Sequence, residues 1–436
     1  MIAARALLAS VLLATAAAAT AAPPDLRTVG EISGYTRTGR YDEVERLCAA
    51  YAARWPREVR CTEFGRTPEG RPMLALVASA DGVLDPKAAA ARGRPVLLFQ
   101  GGIHAGEIDG KDAGFLALRE LLDGSKLPGA LGKVTFVFVP VFNVDGHERF
   151  GRWNRPNQRG PEEMGWRTTA QNLNLNRDYV KAEAPEMRAM LGLLRAWDPI
   201  LYVDLHVTDG AQFQPDISVQ VEPCLGWEPG LDRTGCGLRD DVLADLRRDG
   251  YLALPYYPSF LKEDDPTSGF NNWVSEPRYS TSYWAAHNRF ASLVETHSWK
   301  PYPRRVAATH ATILSMVGLA ADQGSQWLAE ARAADARASK LAGQPVALAW
   351  KNTDRTEMID FPGYAYVREP STVSGQPWIR YDETKPEIWH VPLYVEVVPK
   401  LEVPAPAHGY VVPPAWAPLV AEKLAVHGLR YEVVAA

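Results

Sequence analysis

Four short, mostly apolar runs constrain this chain more than anything else in it: residues 95–100, 134–142, 200–205 and 292–294. A strand that does not alternate apolar with polar is covered on both faces, as in parallel or mixed sheets sandwiched between helices. The segments between the runs supply those helices. Phe115, Leu118, Leu121 and Leu122 recur at helical spacing up to Gly124, and Met187, Met190, Leu191, Leu194 and Trp197 do so after Pro185. Residues 41–55 carry another helical stripe, and residues 61–64 and 73–77 read as strands around a Thr67-Pro68-Glu69-Gly70 turn. The fold class expected is α/β, with a mixed, mostly parallel central sheet flanked by helices. An alanine-rich helical stretch over residues 306–342 closes this unit.

At 436 residues the chain is long enough for one large domain and a smaller one. We divide it into a leader over residues 1–21, a catalytic domain over 22–342, and a small C-terminal α+β appendage over 343–436. The leader combines Arg5, an uncharged Ala/Leu-rich stretch and an Ala19-Thr20-Ala21 exit, the pattern of a secretory signal. An exported protein, periplasmic or secreted, is expected, with no membrane span once the signal is removed. In the appendage, residues 394–398, 410–412 and 429–434 read as strands, and a helix begins at Pro413-Pro414 and stops at Gly428. A net charge of −5 without a basic run gives no purchase for nucleic acid. Cys48, Cys61, Cys224 and Cys236 could form two local disulfides in an oxidising compartment; three pairings are open. None has the CxxC spacing of a thiolate zinc site.

The chemistry starts at His104-Ala105-Gly106-Glu107, just past the 95–100 run and two glycines. Imidazole and carboxylate together suit Zn²⁺, which takes three protein ligands and keeps a position for water when catalytic. Alone, such a pair is commonly solvated helix surface. His206 ends the 200–205 run, and ligands in open α/β sheets gather beyond the carboxyl ends of strands. Asp204 shares its strand face and could support a ligand. Glu295 ends the run beginning at Ala291, where a carboxylate is costly unless paired or functional; it is the candidate general base.

In order and spacing these residues resemble the M14 zinc metallocarboxypeptidases, a family with bacterial exported members, across residues 41–321. Phe64-Gly65-Arg66-Thr67-Pro68-Glu69-Gly70-Arg71 resembles the G-x-S-x-x-G-R segment, and His104 to Glu107 the H-x-x-E zinc motif. Asn143-Val144-Asp145-Gly146, Asn174-Leu175-Asn176-Arg177 and Glu183-Ala184-Pro185-Glu186 resemble N-P-D-G, D-L-N-R and S-E-P-E. The resemblance implies one zinc ion per chain on His104, Glu107 and His206. It implies hydrolysis of C-terminal peptide bonds by a metal-activated water, with Glu295 as base. It assigns the substrate's free carboxylate to Asn176 and Arg177. It also calls for an arginine near the metal (Arg155, or else Arg159) and a capping tyrosine (Tyr283, or else Tyr279).

Asn174 stands where the family has Asp, and residues 207–281 have no clear counterpart. A zinc amidase or deacylase of the same fold, acting on cell-wall peptides or acyl-amino acids, is the second reading. A non-catalytic binding module is the third, and the retained ligands and Glu295 speak against it.

Overall fold

The computed structural model describes residues 24–434; the expected leader lies outside them. Thirteen strands are described: β1 (Val59–Arg66), β2 (Pro72–Ala78), β3 (Val96–Gly101), β4 (Thr135–Val139), β5 (Leu201–Thr208), β6 (Ile217–Glu222), β7 (Ala253–Pro255), β8 (Phe270–Asn271), β9 (Phe290–His297), β10 (Pro345–Asn352), β11 (Thr356–Pro370), β12 (Pro377–Tyr394) and β13 (Val397–Pro404). Eight of them form one sheet in the order β1-β2-β4-β3-β5-β9-β6-β7. The pairs β3/β4, β3/β5, β5/β9 and β6/β7 are parallel; β1/β2, β2/β4 and β6/β9 are antiparallel. This is the mixed, mostly parallel sheet that the apolar runs demand. Every residue of β3 and β4 is buried.

Helices flank the sheet. Helix Pro185–Trp197 starts on its proline and, with Tyr41–Arg54, packs against β1. Helices Asp109–Asp123 and Pro229–Arg248 both pack on the long helix Tyr302–Ala338. A buried Asp109–Arg305 ion pair at 3.0 Å ties that helix to the turn after Glu107, and Thr296 Oγ1 donates to the same carboxylate at 2.7 Å. Arg305 and Asp109 are both shielded from water, so removing one partner would strand the other charge, at a cost of about 3–5 kcal/mol. Cys48 pairs with Cys61 and Cys224 with Cys236, which selects one of the three pairings.

Several boundaries differ from the sequence reading. The run 134–142 is strand only to Val139, because Pro140 lacks an amide proton for the ladder. β5 continues through His206 to Thr208, since β9 offers it partners beyond His206. In the tail, residues 410–412 and 429–434 are not strands: their β-branched side chains find no neighbouring ladder, and Val411 is 95% exposed. The tail helix is Ala417–Val426. Most of the tail is instead the antiparallel pairs β11/β12 and β10/β13. The first of these is joined to the rest of the chain through parallel pairing of β12 with β8.

Candidate metal centre and substrate cavity

The ends of three adjacent strands build the site. After β3 the chain turns through Gly102 at φ +63°, a left-handed conformation that glycine adopts without strain. Gly106 lies so close to Arg155 that a Cβ there would sit 2.8 Å from Arg155 Cγ. These glycines let the loop fold back until His104 and Glu107 both face His206 of β5. His104 Nδ1 and His206 Nδ1 stand 2.9 Å from Glu107 Oε1 and Oε2 respectively. All three residues are buried, and their ligand atoms lie within 4.8 Å of one another.

Two imidazole nitrogens converging on one carboxylate form a donor set suited to a divalent cation. Zinc–ligand distances of about 2.0–2.2 Å are compatible with donors this close together. Burial opposes ionisation of Glu107, but His104 and Arg155 outweigh it and hold the carboxyl well below its usual range. Arg155 Nη1 contacts Glu107 Oε1 at 2.9 Å, and its other terminal nitrogen donates to the Val207 carbonyl at 3.2 Å. Arg167, which no sequence motif marks, reaches the same carboxylate oxygen at 3.4 Å. Arg159 is elsewhere, paired with Glu383 at 2.8 Å.

Each histidine has its own support. Asn174 Oδ1 lies 3.3 Å from His104 Nε2 and accepts from the Asn176 amide at 3.0 Å, capping the turn that carries Asn176 and Arg177. Asp204 Oδ2 lies 2.9 Å from His206 Nε2, off the line of a good hydrogen bond. Asp204 also accepts from Gln100 Nε2 at 2.8 Å and Ser280 Oγ at 2.6 Å. Burial works against a protonated His206, yet the Asp204 carboxylate raises its pKa well above the ordinary value.

Glu295 is the register partner of His206 on β9 and of Ser218 on β6, so the sheet fixes its place beside the cluster. Its Oε2 is shielded and has no hydrogen-bond partner within the protein. Burial pushes its carboxyl up to about 8, with Glu107 and Asp204 reinforcing the shift and His206 opposing it.

The cluster opens into a cavity of about 790 Å³ whose lining includes Asn176, Arg177, Tyr256, Trp273, Tyr279 and Glu295. Arg177 lies 4.4 Å above the Tyr279 ring and has no carboxylate partner among the described residues. Burial lowers its pKa, and Arg167 and Arg278 add to this. Asn176 Oδ1 is also buried without a partner. The Arg177 guanidinium, a fork of donors without an anionic partner, is suited to an incoming carboxylate.

One expected substrate contact is misplaced. Tyr283 does not line the cavity; it is buried against Tyr179, with its hydroxyl 2.8 Å from His427 Nδ1. Tyr279 lines the cavity instead. Although four residues apart, the two do not share a helix face: Tyr279 is the extended N-cap (φ −95°, ψ 155°) and Tyr283 lies inside helix Ser280–Ala285. Tyr256 was not anticipated. It faces the cavity, where burial and the nearby Glu295 push its phenol above the ordinary range. Its only sequence signal is an aromatic pair between prolines, Pro255-Tyr256-Tyr257-Pro258.

Comparison with known proteins gives a family match: residues 44–217 match the zinc carboxypeptidase family. No curated protein sequence matches significantly. Among solved structures, a metallo-carboxypeptidase from Burkholderia cenocepacia is 18% identical, covering 64% of this chain and 70% of that one, with a TM-score of 0.47. Carboxypeptidase A from Helicoverpa armigera is 16% identical over 68% of this chain and 74% of its own, also with a TM-score of 0.47. A Pseudomonas aeruginosa metallo-carboxypeptidase, solved with (2-guanidinoethylmercapto)succinic acid, is 16% identical over 64% and 69%, with a TM-score of 0.46.

Proposed function

We propose, from the match of residues 44–217 to the zinc carboxypeptidase family, that this protein is an exported carboxypeptidase that removes residues from the free C-terminus of peptides. The observation that carries the reading is one cavity lined both by His104 and Glu107 of the His104–Glu107–His206 cluster and by Arg177, a cation without an anionic partner among the described residues. His104, Glu107 and His206 would hold one zinc ion per chain. When bound, the ion supplies Lewis acidity toward water and the scissile carbonyl.

The protein's own groups do the rest. Glu295 takes the proton of the attacking water and delivers it to the leaving amine. Arg155 donates toward the negative charge that develops on the carbonyl oxygen. Asn176 and Arg177 bind the terminal carboxylate and so set which bond is presented. Tyr279, under the Arg177 guanidinium, caps that end of the substrate. Export is supported by the two disulfides, which persist in oxidising compartments. Among the described residues no helix is long and apolar enough to cross a membrane.

Matched peptides ending in a free acid or an amide test the reading. We expect cleavage of the acids alone, abolished by chelation, by protein that retains about one zinc per chain. Equal cleavage of the amides would overturn the carboxylate role of Arg177 and favour the amidase reading.

A further inference from the structure

The cavity has a second wall that the carboxypeptidase motifs do not account for. Along β9, Leu293, Glu295 and His297 point to the same side, so Leu293 and His297 flank Glu295 by roughly 7 Å each. On the Leu293 side stands the carboxylate clamp. Arg177 lies over Tyr279, Tyr279 packs on Trp273 at 5.4 Å, and the Trp273 carbonyl accepts from Gln220, the register partner of Leu293. On the His297 side stand aromatic rings. Phe213 lies 5.5 Å from the His297 ring and 5.0 Å from Phe361 of β11, and Phe361 lies 4.5 Å from Phe270. His297, Phe213, Phe270 and Phe361 all line the cavity.

The tail hairpin holds this wall in place. Gln214 donates from its backbone to the Pro362 carbonyl at 3.3 Å and from its side chain to the Glu387 carbonyl at 3.0 Å. Glu383 accepts from Gln212 at 2.7 Å and pairs with Arg159. The segment bonded in this way is the loop that directly follows β5 and His206. A peptide anchored by its carboxylate at Arg177, with its scissile carbonyl at Glu295, must run its preceding residue toward His297 and the rings.

We propose that the β11/β12 hairpin builds the upstream subsite, where Phe361 and Phe213 select an aromatic or large aliphatic side chain on the residue preceding the scissile bond. This rests on the carboxypeptidase reading. Aromatic side chains gain from edge and face contacts with such rings in a way that a small residue cannot.

The test compares two free-acid peptides that differ only at the penultimate residue, Phe or Gly, with wild type, Phe361→Ala and Phe361→Leu. Wild type should favour the Phe peptide. Phe361→Ala should lose about tenfold in kcat/KM on the Phe peptide and less than about twofold on the Gly peptide. The loss should fall mainly in KM. Phe361→Leu keeps the wall filled, so it decides the matter if the alanine variant does not fold; about a threefold loss confined to the Phe peptide is expected. Equal loss on both peptides, or none, would overturn the subsite. A wild type that cleaves neither free acid would defeat the carboxypeptidase reading itself, an outcome visible without any variant.

Discussion

The two sides of the cavity are held together by different physics. On the side of Arg177 and the metal cluster, charged and polar atoms are fixed by strand ends and by one another, with Asp204, Gln100, Ser280 and Asn174 behind the histidines. On the side of Phe213 and Phe361, aromatic ring contacts, mostly edge-on or tilted, join segments far apart in the chain. A polar network fails when one atom loses its partner, because the stranded group stays buried. An apolar wall fails by volume, gradually, and yields to a substrate of complementary shape. On the proposed reading, chemistry belongs to the first side and selection to the second.

That contrast breaks first at Glu295. Glu295→Gln keeps the size and the register with His206 but cannot accept a proton, so turnover should fall about 10²–10⁴-fold. Zinc content and melting temperature should stay close to wild type. If the variant turns over at the wild-type rate, another base acts and the division of labour is wrong. A smaller effect separates the two histidine supports. Asp204→Asn removes the charge beside His206 Nε2, and we expect metal affinity to drop about 10–100-fold in chelator competition. Asn174→Asp should act oppositely at His104 and strengthen binding, since it supplies the carboxylate that this chain lacks there. Equal, small effects at both positions would mean that the supports only pack.

The same contrast explains what could be read from the sequence. His206 and Glu295 were legible because each stands at the end of an apolar run, and His104 and Glu107 because they follow such a run across a short glycine loop; parallel pairing brings those ends together. The mixed sheet was legible for the same reason. Arg167 and Tyr256 were not, because loops place them and no spacing rule links a loop residue to a strand end. Tyr279 and Tyr283 differ by where a short helix begins, a boundary finer than periodicity resolves. Phe361 was out of reach: its place depends on β12 pairing with β8, more than a hundred residues earlier in the chain. No motif marks the appendage, because what the proposed subsite takes from it is apolar area.

The smallest expected effect concerns a buried carboxyl outside the cavity lining, on the neighbouring strand. Glu222 ends β6 on the same strand face as Gln220 and Ser218, yet it has no counter-ion in contact. Gln220 donates to its Oε1 at 2.7 Å, and its Oε2 is buried without a partner. Burial pushes the carboxyl up to about 8; Asp232 adds to the shift, and Arg239 and the Gln220 bond oppose it. In the unfolded chain the group titrates near its ordinary 4.5. Between those values the folded state holds a proton that the unfolded state has released, so stability contributed here is present at pH 4 and lost as pH rises through 8. Glu222→Gln keeps the hydrogen-bonding shape of the protonated acid and removes the titration. Its melting temperature should match wild type near pH 5 and exceed it at pH 8.5 by roughly 2 °C. An offset that does not change with pH would show that Glu222 is already ionised and paired.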